Sequence, residues 1–167
     1  MEKHVELMSQ IEAQYMAKNC AYNNVSHVTF CRFGLPSYII RLTDKMNRYE
    51  NLRLHPDIDK GDEAIDDTLR DAINYVCMCI GDMRVDGSNI GSTENVKETL
   101  KVIRKLASLT EEDIKDYSAI LVNSYVWRSA GGLLEDVPWA LYSEDASVNY
   151  YMYFAAYLIM LYLNRGE

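Results

Sequence analysis

Two stretches decide the fold of this chain: RLTDKMNRYENL at residues 41–52 and DEAIDDTLRDAINYVCMCI at residues 62–80. Both repeat apolar residues at intervals of three and four, which is the pattern of amphipathic helices. We therefore predict one helix over residues 37–53 and a second over residues 63–83. Because a short polar loop joins them, the two helices should pack antiparallel.

Each of these helices carries its charged residues on one side, because successive residues are separated by about 100°. On the first helix that side holds Arg41, Asp44, Lys45 and Arg48. On the second it holds Glu63, Asp67, Arg70, Asp71 and Asn74. The opposite sides are apolar, with Ile39, Ile40, Leu42 and Met46, then Ile65, Leu69, Ala72, Val76 and Ile80. Antiparallel packing would let both charged sides line one shared groove, where we expect the functional site.

Helical periodicity continues through most of the chain, and strand-like alternation is missing from the sequence. Further helices are predicted at residues 2–19, 93–109, 110–127 and 146–165. The connectors at residues 20–34 and 129–143 contain Asn, Gly and Pro and are predicted to be irregular. The predicted fold class is therefore all-α: a helical bundle with a four-helix core, built by the first three helices and one later helix, and additional C-terminal helices.

The chain divides at the break over residues 84–91. Residues 1–85 form the predicted helical core that carries the site. Residues 86–167 are expected to complete the bundle or to form an oligomer interface. A homo-oligomer is favoured because the segment Tyr150–Leu163 is apolar on most sides and needs cover.

Composition narrows the classes of partner. A net charge of −8 argues against general nucleic-acid binding and against anionic membranes, since both require a basic surface. The N-terminus lacks the apolar run of a signal peptide. The segment Tyr150–Leu163 is shorter than the roughly 20 residues needed to span a bilayer. The four cysteines are predicted to be reduced thiols, and a cytoplasmic location is expected.

The acidic residues of the groove suggest a metal ion. Asp67 and Asp71 are four residues apart, so both carboxylates lie on one face and repel each other unless a cation separates them. Together with Asp44, and with Glu12 or Glu63, they would form an oxygen cluster suited to Mg²⁺. A solvated face of ordinary Asp–Lys and Asp–Arg pairs is the alternative. Glu12 likewise either reaches water at the edge of its helix or points into the groove.

Three segments together resemble a known family. They are KNCAYN at residues 18–23, RLTDKMNRYENL at residues 41–52 and DTLRDAINY at residues 67–75. They are similar to motifs of the phage and bacterial nucleotide modification-associated domain, type one. More distantly, the chain resembles the all-α nucleoside triphosphate pyrophosphohydrolases of the MazG and dimeric dUTPase type.

The resemblance implies a Mg²⁺-dependent nucleoside triphosphate pyrophosphohydrolase, in the host cytoplasm if the chain is phage-encoded. Asp44, Asp67 and Asp71 would then hold Mg²⁺. Glu12 or Glu63 would deprotonate the attacking water. The expected contacts to the nucleotide are Lys18, Tyr22, Asn23, Arg41, Lys45, Arg48 and Asn74.

Two other functions stay open at this point. Asn47, Ala21 and Asn23 stand where these families tend to have a carboxylate, Asp and Gly. These differences favour a protein that binds a nucleotide, for example one that signals in host defence, without cleaving it. A helical interaction module, with its tyrosine-rich C-terminal helix as the partner surface, is the third candidate.

Overall fold

The computed structural model describes residues 2–57, 62–85, 87 and 89–166, and of residues 62 and 63 it describes the backbone alone. Within these ranges every regular element is helical and no strand occurs, which confirms the all-α prediction. The helices are α1 (Lys3–Ala21), α2 (Val25–Phe33), α3 (Pro36–Leu54), α4 (Asp62–Met83), α5 (Glu94–Ser108), α6 (Glu111–Val122), α7 (Tyr125–Ser129), α8 (Val137–Ser143) and α9 (Val148–Leu163). A short 3-10 turn, Leu134–Asp136, leads into α8.

Helices α3 and α4 are antiparallel, as the sequence predicts. The hydroxyl of Tyr38 donates to the carboxylate of Asp82 near the start of α3 and the end of α4. Ten residues further along α3, Arg48 Nε donates to Thr68 Oγ1 at 3.1 Å. From Tyr38 to Arg48 the residue numbers on α3 increase, whereas those of the partners on α4 decrease from Asp82 to Thr68. The two helices therefore run in opposite directions.

Helix α4 is the central element of the core, since it packs against α3, α5 and α9. Its apolar side is fully buried at Leu69, Ala72, Ile73, Val76 and Ile80. Helix α1 packs mainly on α5, and α6 packs on α9. Helices on both sides of the predicted boundary at residue 85 therefore share one core, and the predicted four-helix arrangement is not confirmed as such.

The structure corrects two connectors and one helix. The segment predicted to be irregular at residues 20–34 contains α2, which follows a left-handed turn at Asn23 and Asn24 (φ 51° and 58°). The segment at residues 129–143 contains the 3-10 turn and α8. The helix predicted at residues 110–127 is broken, because the side chain of Ser124 accepts from the backbone N–H of Trp127 and starts α7.

One apolar assignment on α3 is also wrong. Ile40 was expected on the buried side of the helix, but its side chain is 63% exposed. The buried side instead follows the residues Tyr38, Leu42, Met46, Tyr49 and Leu52. Successive residues of this set are four, four, three and three positions apart, so they lie on one side of the helix. Ile40 lies about 100° further around the helix than Ile39 and therefore falls outside that side.

Helix α9 is covered within a single chain, chiefly by α4 and α6. Tyr151, Phe154, Ala155, Leu158 and Ile159 are fully buried there. The homo-oligomer stays a prediction, but the need to cover α9 no longer supports it. In the described part of the chain, no helix is both long enough and apolar enough to cross a membrane.

Cys20, Cys77 and Cys79 are free thiols. Cys77 and Cys79 are buried on α4, Cys31 is half-buried and Cys20 is exposed. Burial raises the pKa of Cys77 to about 12 and raises the pKa of Cys79 further. These two thiols are therefore small core side chains and not nucleophiles.

Gly81 allows α4 and α5 to approach closely. A Cβ atom at this position would lie 2.9 Å from the backbone nitrogen of Thr99 and closer still to its hydroxyl oxygen. Backbone on the neighbouring helix cannot move aside as a flexible side chain can. Glycine is therefore required here for packing, although it lowers the intrinsic stability of a helix by about 1 kcal/mol.

We predict that Gly81→Ala destabilises the protein by about 1–3 kcal/mol, since overpacking a core costs that much. Urea unfolding followed by circular dichroism measures the loss. A double-mutant cycle with Thr99→Ala should show partial rescue, because that change removes the hydroxyl but not the backbone nitrogen. An unchanged or higher stability for Gly81→Ala would contradict the close approach of the two helices.

Candidate functional site

A cavity of about 420 Å³ lies between α1, α2, α3 and α4. This volume falls in the range of roughly 300–1,000 Å³ that is usual for small-molecule sites. The cavity is lined by Tyr15, Lys18, Asn19, Tyr22, Val25, Ser26, Arg41, Asp71, Asn74, Tyr75 and Met78. Tyrosines, amides and charged groups thus meet in one place.

Helical spacing explains how α1 and α4 supply most of this lining. Tyr15 and Lys18 of α1, and Tyr22 directly after its end, are separated by three and four residues, so they lie on one side. On α4, Asp71 and Asn74 have the same relation. Where the two faces meet, aromatic rings lie beside cations and an acid.

Asp71 is held by lysines from two helices. Its carboxylate lies 3.5 Å from Lys18 Nζ of α1 and 3.0 Å from Lys45 Nζ of α3. Three positively charged side chains lie at this position, those of Lys18, Lys45 and the nearby Arg41. They outnumber the single negative charge of the Asp71 carboxylate. This corner of the cavity is therefore positive, although the whole chain carries a net charge of −8.

Arg41 reaches the cavity from α3 between two aromatic rings. Its guanidinium carbon lies 5.9 Å from the ring centre of Tyr38 and 5.8 Å from that of Tyr75. These contacts fix the position of the side chain. Its Nη1 atom is buried and has no hydrogen-bond partner among the described residues. A buried donor of this kind is costly unless something binds to it.

Asn74 presents a second unsatisfied atom in the same cavity. Its side chain is only 7% exposed, and its Oδ1 atom has no hydrogen-bond partner among the described residues. Buried polar groups in native proteins are nearly always hydrogen-bonded. Arg41 and Asn74 thus both line the cavity, and each has one buried polar atom without a partner among the described residues.

The structure brings six of the expected site residues together. Lys18, Tyr22, Arg41, Asp71 and Asn74 line the cavity. Lys45 joins them through its ion pair with Asp71. These residues come from three helices, and the shared groove expected between α3 and α4 is closed on its other side by α1.

The expected metal ligands are not gathered in this way. Asp67 is 61% exposed and pairs with Arg70 of its own helix at 2.6 Å. Asp44 lines a different groove, between α3 and α8. Across the described residues, no group of three His, Cys, Asp or Glu side chains is placed to hold a metal ion. Asp71 is thus the one expected Mg²⁺ ligand that faces the cavity, and the use of Mg²⁺ stays a prediction.

Three other expected residues also lie outside the cavity lining. Glu12 points away and forms an ion pair with Arg104 of α5 at 2.8 Å. Arg48 is exposed and bonds to Thr68, and Asn23 is exposed in the turn before α2. The side chain of Glu63 falls outside the described residues.

The structure also contains a buried polar network that was not predicted from the sequence. The carboxylate of Asp82, on the last turn of α4, accepts from Tyr38 and lies 2.8 Å from His27 Nδ1 of α2. His27 Nε2 lies 3.2 Å from the carbonyl oxygen of Asn89. Burial raises the pKa of Asp82, against the hydrogen bonds from Tyr38 and His27, which lower it. Burial also raises the pKa of Tyr38 well above its usual value.

We predict that Asp82→Ala lowers the free energy of unfolding by about 3–5 kcal/mol, because it leaves two buried partners unpaired. Asp67→Ala on the same helix is the matched control and should cost no more than about 1 kcal/mol, since Asp67 is exposed. Urea unfolding measures both. Equal losses for the two variants would show that the network does not hold α2, α3 and α4 together.

Comparisons with known proteins add no relative of this chain. A scan against protein-family models finds no match. The curated proteins and the solved structures likewise give no match. The family resemblance noted from the three motifs therefore stays a prediction, and function has to be argued from the geometry of the cavity.

Proposed function

We propose that the cavity binds a nucleotide and does not cleave it. The observation that carries this proposal is that two residues of the cavity wall, Arg41 and Asn74, each hold a buried polar atom, Nη1 and Oδ1, that has no partner among the described residues. A ligand that satisfies both must carry an acceptor for arginine and a donor for the amide oxygen. A phosphate supplies the first, and a base amino group or a sugar hydroxyl supplies the second.

The other groups of the cavity fit the same kind of ligand. Lys18 and Arg41 provide positive charge for a phosphate, and arginine favours phosphate because its donors form a planar fork. Tyr15, Tyr22 and Tyr75 line the same space and offer ring faces and edges to a planar base. Charge, hydrogen bonding and aromatic surface thus support one class of ligand, a phosphate joined to a planar heterocycle.

Binding is favoured over hydrolysis by the chemistry of the donor set. A metal-assisted hydrolase needs carboxylates both for the ion and for proton abstraction. Of the expected acids with described side chains, only Asp71 lines the cavity, and it is occupied by two lysines. Hydrolysis remains the second candidate because three segments resemble pyrophosphohydrolase-like families.

The first test is a panel of nucleoside mono-, di- and triphosphates, measured by isothermal titration calorimetry with EDTA and again with Mg²⁺. We expect at least one nucleotide to bind in EDTA. Arg41→Ala should weaken that binding about tenfold to a hundredfold, because a hydrogen bond to a charged group contributes about 1.5–3 kcal/mol. Arg53→Ala, at the exposed end of the same helix, is the matched control and should bind like the wild type.

The outcomes of this panel separate the candidates. Chromatography of each mixture detects product, and formation of a monophosphate and pyrophosphate with Mg²⁺ would establish the hydrolase instead. Equal binding by Arg41→Ala and the wild type would place the ligand elsewhere. If no nucleotide binds under either condition, the proposal fails.

The second test uses Asp71→Asn, which has opposite effects under the two mechanisms. In a binding protein, removing this negative charge should raise the affinity for the nucleotide at least about threefold, since one unit charge at about 6 Å contributes roughly 0.7 kcal/mol even in water. In a hydrolase, losing a metal ligand should abolish the Mg²⁺-dependent part of binding. Calorimetry with and without EDTA distinguishes these results. Stability without ligand should change by no more than about 1 kcal/mol, because the ion pairs of Asp71 are partly exposed.

A further inference from the structure

A second concave surface lies on the other side of α3. It is a groove of about 430 Å³ between α3 and the segment of residues 134–143. We name it the α3–α8 groove. Its lining includes Ile39, Ile40, Asp44, Glu135, Asp136 and Trp139. None of these residues lines the nucleotide cavity, so the two surfaces are separate.

Two large apolar side chains are exposed in this groove. Ile40 is 63% exposed and Trp139 is 60% exposed. The ring of Trp139 has its centre 5.4 Å from that of Tyr142, which supports one side of it. An exposed tryptophan in a groove is the kind of residue that contributes most to binding when a partner buries it.

The groove also has an acidic rim. Asp44 comes from α3, and Glu135 and Asp136 come from the 3-10 turn on the opposite side. In the described part of the chain, none of these carboxylates forms an ion pair, although Asp67, Asp71 and other acids do. A cationic partner would therefore meet carboxylates that no described side chain of this protein already neutralises.

The charge pattern also selects the kind of partner. In a symmetric dimer the same patch meets itself, which would bring two acidic rims together on chains that each carry −8. A groove beside a helix, with an apolar floor and charged edges, fits an amphipathic helix that lays its apolar side into it. Positive residues flanking that apolar side would meet the rim.

We propose that the α3–α8 groove docks a basic amphipathic helix of another protein. Large apolar residues of that helix, three or four positions apart, bury Ile40 and Trp139. Lysine or arginine residues beside them pair with Asp44 and Asp136.

Selection from a displayed library of random 16-residue peptides, with the whole protein as bait, tests the proposal. We expect the recovered peptides to combine large apolar residues at spacings of three or four with flanking lysine or arginine. Their affinity, measured by fluorescence anisotropy, should fall at least tenfold for Trp139→Ala. It should fall as far for the double variant Asp44→Asn/Asp136→Asn.

The matched control is Glu112→Gln/Asp116→Asn, which removes two exposed acids from α6. It should bind the selected peptides like the wild type. Equal losses in this control would show attraction to overall negative charge and would overturn the proposal. So would recovery of no peptides, of peptides without basic residues, or of peptides insensitive to Trp139→Ala.

Light scattering tests whether a second copy of this chain occupies the groove instead. A wild type that is dimeric, and that becomes monomeric on Trp139→Ala, would assign the groove to a second copy of this chain and overturn the proposal. The substituted residues Asp44, Glu112, Asp116, Asp136 and Trp139 are all exposed, so circular dichroism should show unchanged helicity in every variant.

Discussion

The buried carboxylate of Asp82 joins three helices at one point. It accepts a hydrogen bond from Tyr38 of α3, contacts His27 of α2 and belongs to the last turn of α4. An ionisable group this deep in the core is stable only when its partners are in place. Gly81, its neighbour, lets α5 pack directly on the same turn. The end of α4 thus fixes the positions of α2, α3 and α5 together.

The cavity depends on this point of attachment. Tyr38, held by Asp82, is also one of the two rings beside the guanidinium of Arg41. Helix α2, held through His27, contributes Val25 and Ser26 to the cavity wall. The Asp82 network therefore positions groups of the cavity wall, although Asp82 itself does not line the cavity. It provides the rigid support that a preorganised binding site needs.

Much of the fold could be predicted from the sequence, because long amphipathic helices show a regular spacing of apolar residues. Helices α3 and α4 were predicted within a residue of their ends, and their antiparallel packing followed from the short loop. Helix α2 was missed because its central contact is a buried polar one, His27 with Asp82, which leaves no apolar period. The bend at Ser124 was missed because a single hydroxyl cap, not composition, ends one helix and starts the next.

Only part of the candidate site could be predicted from the sequence, for a related reason. Periodicity places Asp67 and Asp71 on one side of a helix, but it does not say which cation reaches each of them. Asp71 takes lysines from α1 and α3, whereas Asp67 takes Arg70 from its own helix. Extending the stripes of Lys18 and Asp71 in steps of three and four would have found Tyr15, Asn19, Tyr75 and Met78. The unpartnered atoms of Arg41 and Asn74 could be identified only from the structure, since tertiary packing decides which polar atoms lack a partner among the described residues.

Helix α3 carries both proposed surfaces, and its rotation about its own axis decides what each surface presents. Arg41 faces the cavity, while Ile40 and Asp44 face the α3–α8 groove. Because adjacent residues on a helix diverge by about 100°, a rotation of that size would exchange these roles. The bond between Tyr38 and Asp82 prevents such a rotation at one end of α3, and the bond between Arg48 and Thr68 prevents it further along. These two contacts therefore separate a positive cavity from an acidic, apolar groove on a single helix.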